Sequence, residues 1–165
     1  MKADFMENNS NIARGIISGF LGGLVGSMVK SAAEQFLEVR KIDEEAAQMT
    51  VIDDLSEKIT GNQLSGVSEQ IAEQFADIPL GASVGAAYGY GKKDNDEINV
   101  IDGVILGATT WASTHETSLP MAGIEKAPED VPVTTQLQEL AAHVIFGVTT
   151  EVVRGLISQN IKKLR

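Results

Sequence analysis

Glycine recurs at helical spacing in several separate stretches of this chain. Gly15, Gly19, Gly22 and Gly26 fall at i, i+4, i+7 and i+11, which places them on one face of a helix. Gly81, Gly85 and Gly89 repeat at i+4, as do Gly103 and Gly107, while Gly147 and Gly155 stand eight apart. Inside a helix each glycine costs about 0.5–1 kcal/mol relative to alanine. A chain that keeps so many must use the missing side chains. Close approach of helix backbones is the direct use, and it matters most in lipid, where small residues let dispersion contacts form. The pattern predicts an all-α fold: a four-helix bundle of glycine-striped, transmembrane helices.

The boundaries follow from charge, proline and capping signals. Four main helices are expected at 11–37, 67–91, 97–118 and 134–161. The lead 1–10 is expected to be disordered, leaving 11–165 as one helical domain, the amount of chain that suits a single domain. Between the first two helices, "TVIDDLSEKITG" has apolar residues at 51, 52, 55 and 59, which reads as a short amphipathic helix. Pro79 is expected to kink the second helix. Pro120 with Gly123 closes the third, and Thr134 or Thr135 is the expected cap of the fourth.

Composition excludes several functions. With no cysteine, thiol catalysis and thiolate metal sites are out. A net charge of −10 opposes nucleic acid binding, which needs a basic face. "HETS" lacks the second histidine of a zinc-protease helix, and "GYGKKD" lacks phosphate-loop spacing. The Glu-x-x-His pairs of dinuclear carboxylate bundles are also missing. No cofactor is indicated, and no catalytic residue is assigned.

Ionisable residues nevertheless stand on the glycine-marked faces. Gly103, Gly107, Trp111 and His115 form one i+4 series, with Glu116 beside His115. Glu139, His143, Gly147 and Glu151 form another, with Arg154 one turn beyond. Lys30 and Glu34 lie one turn apart on the first helix, and Glu73 and Asp77 on the second, where like charges suit water at the helix entrance. Buried charge must be paired, neutralised or bound to something. We therefore expect one interior network of Lys30, Glu34, His115, Glu116, Glu139, His143, Glu151 and Arg154. It serves either to fix helix register or to carry protons or cations, and His115, His143 and Glu151 are its weak candidates for metal ligands.

Three ordered segments also resemble a known family. They are "GGLVGSMVKSAAEQFLEVR", with Lys30, Glu34 and Arg40; His-x-x-Ser-x-Pro-x-x-Gly, at His115, Ser118, Pro120 and Gly123; and Glu139-x-x-x-His143 followed by Glu151-x-x-Arg154. Together they resemble the YagU-like family of small multi-pass inner-membrane proteins, whose function is undefined. The family's Pro-Pro before the arginine is replaced here by Glu38-Val39. The resemblance implies four membrane helices, with the stretch between the first two outside, and no known reaction. Basic residues fit that topology. Lys2, Arg14, Lys92, Lys93, Lys162, Lys163 and Arg165 fall on the side of the termini, against Arg40, Lys41, Lys58 and Lys126. Both termini are then cytoplasmic, and the partner is membrane lipid.

Hydropathy points the other way. The uncharged runs Gly15–Val29 and Ile78–Gly91 are shorter than the roughly 20 apolar residues a span needs, and mean hydropathy is only +0.01. The competing readings are a soluble acidic helical bundle that binds a metal ion and a homo-oligomeric scaffold joined through its glycine faces.

Overall fold

The structure is a computed structural model and describes residues 2–37, 39, 57, 67–123 and 125–164, with the backbone alone for 2–5 and 67–77. Among these residues it is all-α. Helix α1 is Lys2–Phe36, α2 is Val67–Gly91, α3 is Val100–Ser113 and α4 is Val133–Lys163. The amphipathic helix expected at 50–61 lies, apart from Glu57, outside the described residues, as do the side chains of Glu73 and Asp77.

Helix ends differ from expectation for local reasons. α1 reaches back to Lys2 and so includes the lead expected to be disordered. Once a helix is nucleated, each added residue gains a backbone hydrogen bond, so the polar "ENNSN" stretch continues it. α2 keeps the expected bounds, with Pro79 inside it. α3 starts later than expected, at the cap Asn99, whose side chain accepts from Ile101 N at 3.0 Å. α4 follows Pro132 rather than a threonine cap. There Gln136 reaches back, its Nε2 donating to the carbonyls of Pro128 at 2.7 Å and Val131 at 3.0 Å.

The glycines set the packing. A Cβ at Gly19 would run into the carbonyl oxygen of Gly85 and lie 2.7 Å from the Cα of Gly89. Gly15 faces Gly89 and Gly23 faces Gly81, so α1 and α2 are antiparallel with their backbones in contact. Gly22 and Gly26 instead face Thr150 and Phe146 of α4. The stripe read as one face is therefore two seams, and Gly23, outside that stripe, completes the first. A step of four residues advances about 40° round a helix and a step of seven falls back about 20°, so the two rows diverge toward different neighbours. Gly103 and Gly107 meet Gly147, Val148 and His143, which seats α3 antiparallel on α4. The packing order is α2, α1, α4, α3, and α2 and α3 do not pack extensively against each other.

The interior is small and polar. The largest fully buried side chains among the described residues are Arg154, Glu151, Thr150, Ser18, Ser27 and Ser158. Buried apolar residues are only Val39, Ala82, Ala142 and Phe146 among those described. Large apolar side chains face outward, including Ile17, Phe20 and Met28 on α1, Ile101 and Ile105 on α3, and Leu137 and Leu156 on α4. Two helices, Met6–Phe36 and Val133–Lys163, are long and apolar enough to cross a bilayer.

Candidate functional site

At one end of the bundle α3 widens into a π turn, Thr114–Ser118, before a last turn at Leu119–Met121. Pro120 has no N–H, and its ring would press on the carbonyl four residues back. A wider turn relieves this. Leu119 N reaches the carbonyl of Thr114, while Thr117 Oγ1 and Ser118 Oγ donate to Ala112 at 2.8 Å and Ser113 at 2.6 Å. Gly123, with φ 71°, then takes the left-handed conformation that ends the segment. π turns of this kind occur often at functional sites.

The π turn carries His115, which is buried. Its Nδ1 lies 2.9 Å from Glu125 Oε2 and 4.0 Å from Glu139 Oε2. His143 presents its ring edge-on, with centroids 5.0 Å apart, and its Nδ1 lies 2.9 Å from the Glu139 carbonyl. In each imidazole Nδ1 therefore faces an oxygen acceptor, which makes it the donor nitrogen. Lys30, also buried, pairs with Glu34 at 2.8 Å. Lys30, His115 and His143 line a cavity of about 70 Å³ together with Ser27, Thr110 and Thr114, and Leu80, Val84, Leu119 and Phe146 supply its apolar wall.

The opposite end is closed by a denser set of bonds. Arg154 donates from Nε to Glu151 Oε2 at 2.7 Å and from Nη2 to Oε1 at 3.0 Å. It also holds the carbonyls of Asn95 and Glu97, each at 3.0 Å. Glu151 further accepts from Tyr88 Oη and from Asn99 N, both at 2.9 Å. Beside it Arg14 reaches Ser158 Oγ at 3.1 Å, the Lys93 carbonyl at 2.9 Å and Asp96 at 3.2 Å. Asp96 also accepts from Ser158 and from Lys162, each at 2.7 Å. Lys92 pairs with Asp102 and ties the end of α2 to the start of α3.

Burial alone would raise the Asp96 carboxyl. The hydrogen bonds from Lys162 and Ser158 and the charge of Arg14 outweigh it and hold the group below the usual carboxylate range. A depressed carboxylate stabilises the fold fully above its unfolded pKa, about 3.9, and loses that contribution as pH falls through the folded value. Amides of the 94–99 loop are expected to exchange faster with solvent hydrogen as pH drops below about 4, after correction for intrinsic rates. An Asp96→Asn variant should lack this extra acid loss.

The eight residues expected to form one network thus fall into two groups. Lys30, Glu34, His115, Glu139 and His143 gather at the first end, Glu151 and Arg154 at the other, and half-buried Glu116 belongs to neither set. His143 and Glu151 lie eight positions apart on α4, about 12 Å along the axis, and the Phe146–Gly26–Thr150 layer fills the interval. For the same reason His115, His143 and Glu151 do not converge on a metal. No cluster of three or more metal-ligating side chains occurs among the described residues.

Sequence reasoning missed Glu125, Tyr88, Arg14, Asp96 and Ser158. For Ser158 a signal existed, since it lies one turn beyond Arg154 on the Gly147–Glu151 face. The others come from a loop or from another helix, where spacing gives no sign. Two buried polar atoms, Trp111 Nε1 and Thr150 Oγ1, have no partner among the described residues.

A family model described as a protein of unknown function (DUF1440) matches residues 24–152. No curated protein and no solved structure matches the chain.

Proposed function

Since the chain belongs to the DUF1440 family, we propose that it is a four-span integral membrane protein of the YagU-like kind, with an interior cavity at the His115–His143 end. The observation that carries this reading is the inverted polarity of the bundle. Burying a large apolar side chain is worth about 1.5–3 kcal/mol in water, yet here Arg154, Glu151 and Ser18 are inside while Ile17, Phe20 and Ile101 are outside. Water rewards the opposite arrangement. A bilayer rewards this one, because lipid covers the apolar surface and interior polar groups satisfy one another.

Length is sufficient for every helix. The two apolar ones have 31 residues each, about 46 Å of helix against a hydrocarbon thickness of about 30 Å. α2 has 25 residues, and α3 with its π and final turns spans residues 100–121. Their charged residues fall toward the ends, Glu69, Glu73 and Asp77 in the first half of α2 and Asp102 and Glu116 near the two ends of α3 with its final turns. The basic residues of the termini and the α2–α3 loop favour an orientation with that end in the cytoplasm of a bacterium and the histidine end facing outward.

The two ends have different roles in this reading. The Glu151–Arg154 pair on α4 bonds Tyr88 of α2 and the 95–99 loop, so it holds helix register. The histidine end has a cavity and is where a ligand or proton acts. The test is fractionation without detergent followed by an alkaline carbonate wash. The chain is expected to remain in the washed membrane pellet. Recovery as a compact helical protein in the supernatant would reject the reading in favour of a soluble acidic bundle.

A further inference from the structure

The loop that joins α2 to α3 is held against the last turns of α4. Arg154 binds its carbonyls at Asn95 and Glu97, and Gln159 Nε2 donates to that of Asp96 at 2.9 Å. Where loop and helix meet there is an open cavity of about 500 Å³, within the roughly 300–1,000 Å³ of small-molecule sites. Asp94, Asp96 and Glu97 line it from the loop, Lys162 and Lys163 from the helix. Most of these charges are already engaged. Asp94 pairs with Lys93, and Asp96 with Arg14 and Lys162. Glu97 and Lys163 differ. Both are exposed, and neither side chain forms an ion pair or hydrogen bond among the described residues. One cavity thus presents a carboxylate and an ammonium that leave each other unpaired. The amides of Asn95 and Gln159 line it as well, and no aromatic ring does among the described residues.

We propose that this cavity binds the headgroup of an aminophospholipid, with its primary ammonium at Glu97 and its phosphate at Lys163. A ligand that satisfies both residues must itself carry both signs. The lining selects the kind of cation. A quaternary ammonium is recognised by aromatic faces, whereas a primary ammonium needs acceptors, which Glu97 and the amide oxygens supply. Phosphate suits Lys163, and Lys162 beside it has three donors, of which one goes to Asp96. Side chains on a helix lean toward its N-terminus, so the Lys163 ammonium leans back toward the loop. The source of the ligand follows from the membrane reading, on which the inference rests. Ile98 occupies the space of the missing Cβ of Gly155. On one side of that contact Val100, Ile101 and Leu156 are exposed and apolar. On the other, Lys162 and Lys163 stand about two turns further along α4. The acyl chains then lie along the apolar residues, and the cavity is at the level of the headgroups.

The experiment floats the full chain in phosphatidylcholine liposomes on a density gradient and transfers the floated protein into a mild detergent. It is then titrated with dioleoyl phosphatidylethanolamine, and bound lipid is counted by native mass spectrometry. A single lipid is expected to bind first, ahead of phosphatidylcholine and phosphatidylglycerol. Glu97→Gln and Lys163→Met should each weaken that binding about fivefold, the upper range for a solvent-exposed charge contact. Neither should change the melting temperature, because neither side chain bonds within the fold. Glycerophosphoethanolamine, the headgroup without acyl chains, should fail to displace the lipid. If the wild-type chain floats and the three lipids bind alike, or the variants bind as the parent does, the cavity assignment is wrong and the membrane reading stands. Preference for phosphatidylglycerol would leave Lys163 as an anion contact and overturn the role of Glu97. Displacement by glycerophosphoethanolamine would make the site one for the free zwitterion and overturn the lipid source. A chain that does not float overturns both.

Discussion

Replacing Glu151 with alanine is expected to destabilise the protein by about 3–5 kcal/mol, the usual result of stranding one half of a buried ion pair. Arg154 is 1% exposed and Glu151 is not exposed at all, so no water reaches the charge that is left behind. The loss extends past the pair. Tyr88 Oη and the backbone N–H of Asn99, the residue whose side chain caps the start of α3, lose their acceptor as well. Glu151→Gln keeps one carbonyl oxygen and about the same shape, so it should cost less, about 1.5–3 kcal/mol for hydrogen bonds that lose their charge. Adding Arg154→Met to Glu151→Ala removes the stranded cation and should recover part of the loss. Recovery stays incomplete, because Arg154 also holds the carbonyls of Asn95 and Glu97 and so the α2–α3 loop. Thermal unfolding followed by circular dichroism in one detergent reads all three variants. An alanine variant within about 1 kcal/mol of the parent would be incompatible with a dry pair, which is worth several times that.

The ordering of these variants also separates what spacing could reveal from what it could not. Glu151 and Arg154 were legible because both lie on the face marked by Gly147, and a shared helix face is a matter of period alone. The four helices were legible in the same way, from glycine and apolar spacing punctuated by Pro120 and "KKDNDE". Tertiary pairing was not. Arg14 meets Ser158, 144 residues away, and Asp96 sits in a segment whose composition reads only as a polar turn. His115 was placed inward correctly, but its partner Glu125 lies in the α3–α4 loop, where no period operates. Nor does period reveal the π turn, since it depends on how the chain relieves Pro120. The single expected network became two because periodicity gives the angle round a helix clearly and says less about which distant groups share a level.

Gly19→Ala is the substitution expected to damage assembly most per added atom. By propensity alone it would stabilise the helix by about 0.5–1 kcal/mol. The new Cβ, however, would run into the Gly85 carbonyl and lie 2.7 Å from the Gly89 Cα, where carbon pairs normally rest at about 3.5–4.0 Å. Both obstacles are backbone, so no rotamer change relieves them and the helices must move apart by about 1 Å. Such overpacking costs about 1–3 kcal/mol or more, and it outweighs the gain in propensity because the separation is felt along the whole seam. Gly91→Ala is the control: nothing lies within 4 Å of its Cβ position, so the propensity gain should appear uncompensated as a melting temperature equal to or above the parent's. The seam is reciprocal, which gives a sharper test. A Cβ at Gly85 would strike Gly19 just as one at Gly19 strikes Gly85. Once either alanine has parted α1 from α2, the second meets less resistance. Gly19→Ala with Gly85→Ala should therefore cost clearly less than the sum of the two singles. Strict additivity would mean that the two glycines act separately and that α1 and α2 do not meet backbone to backbone.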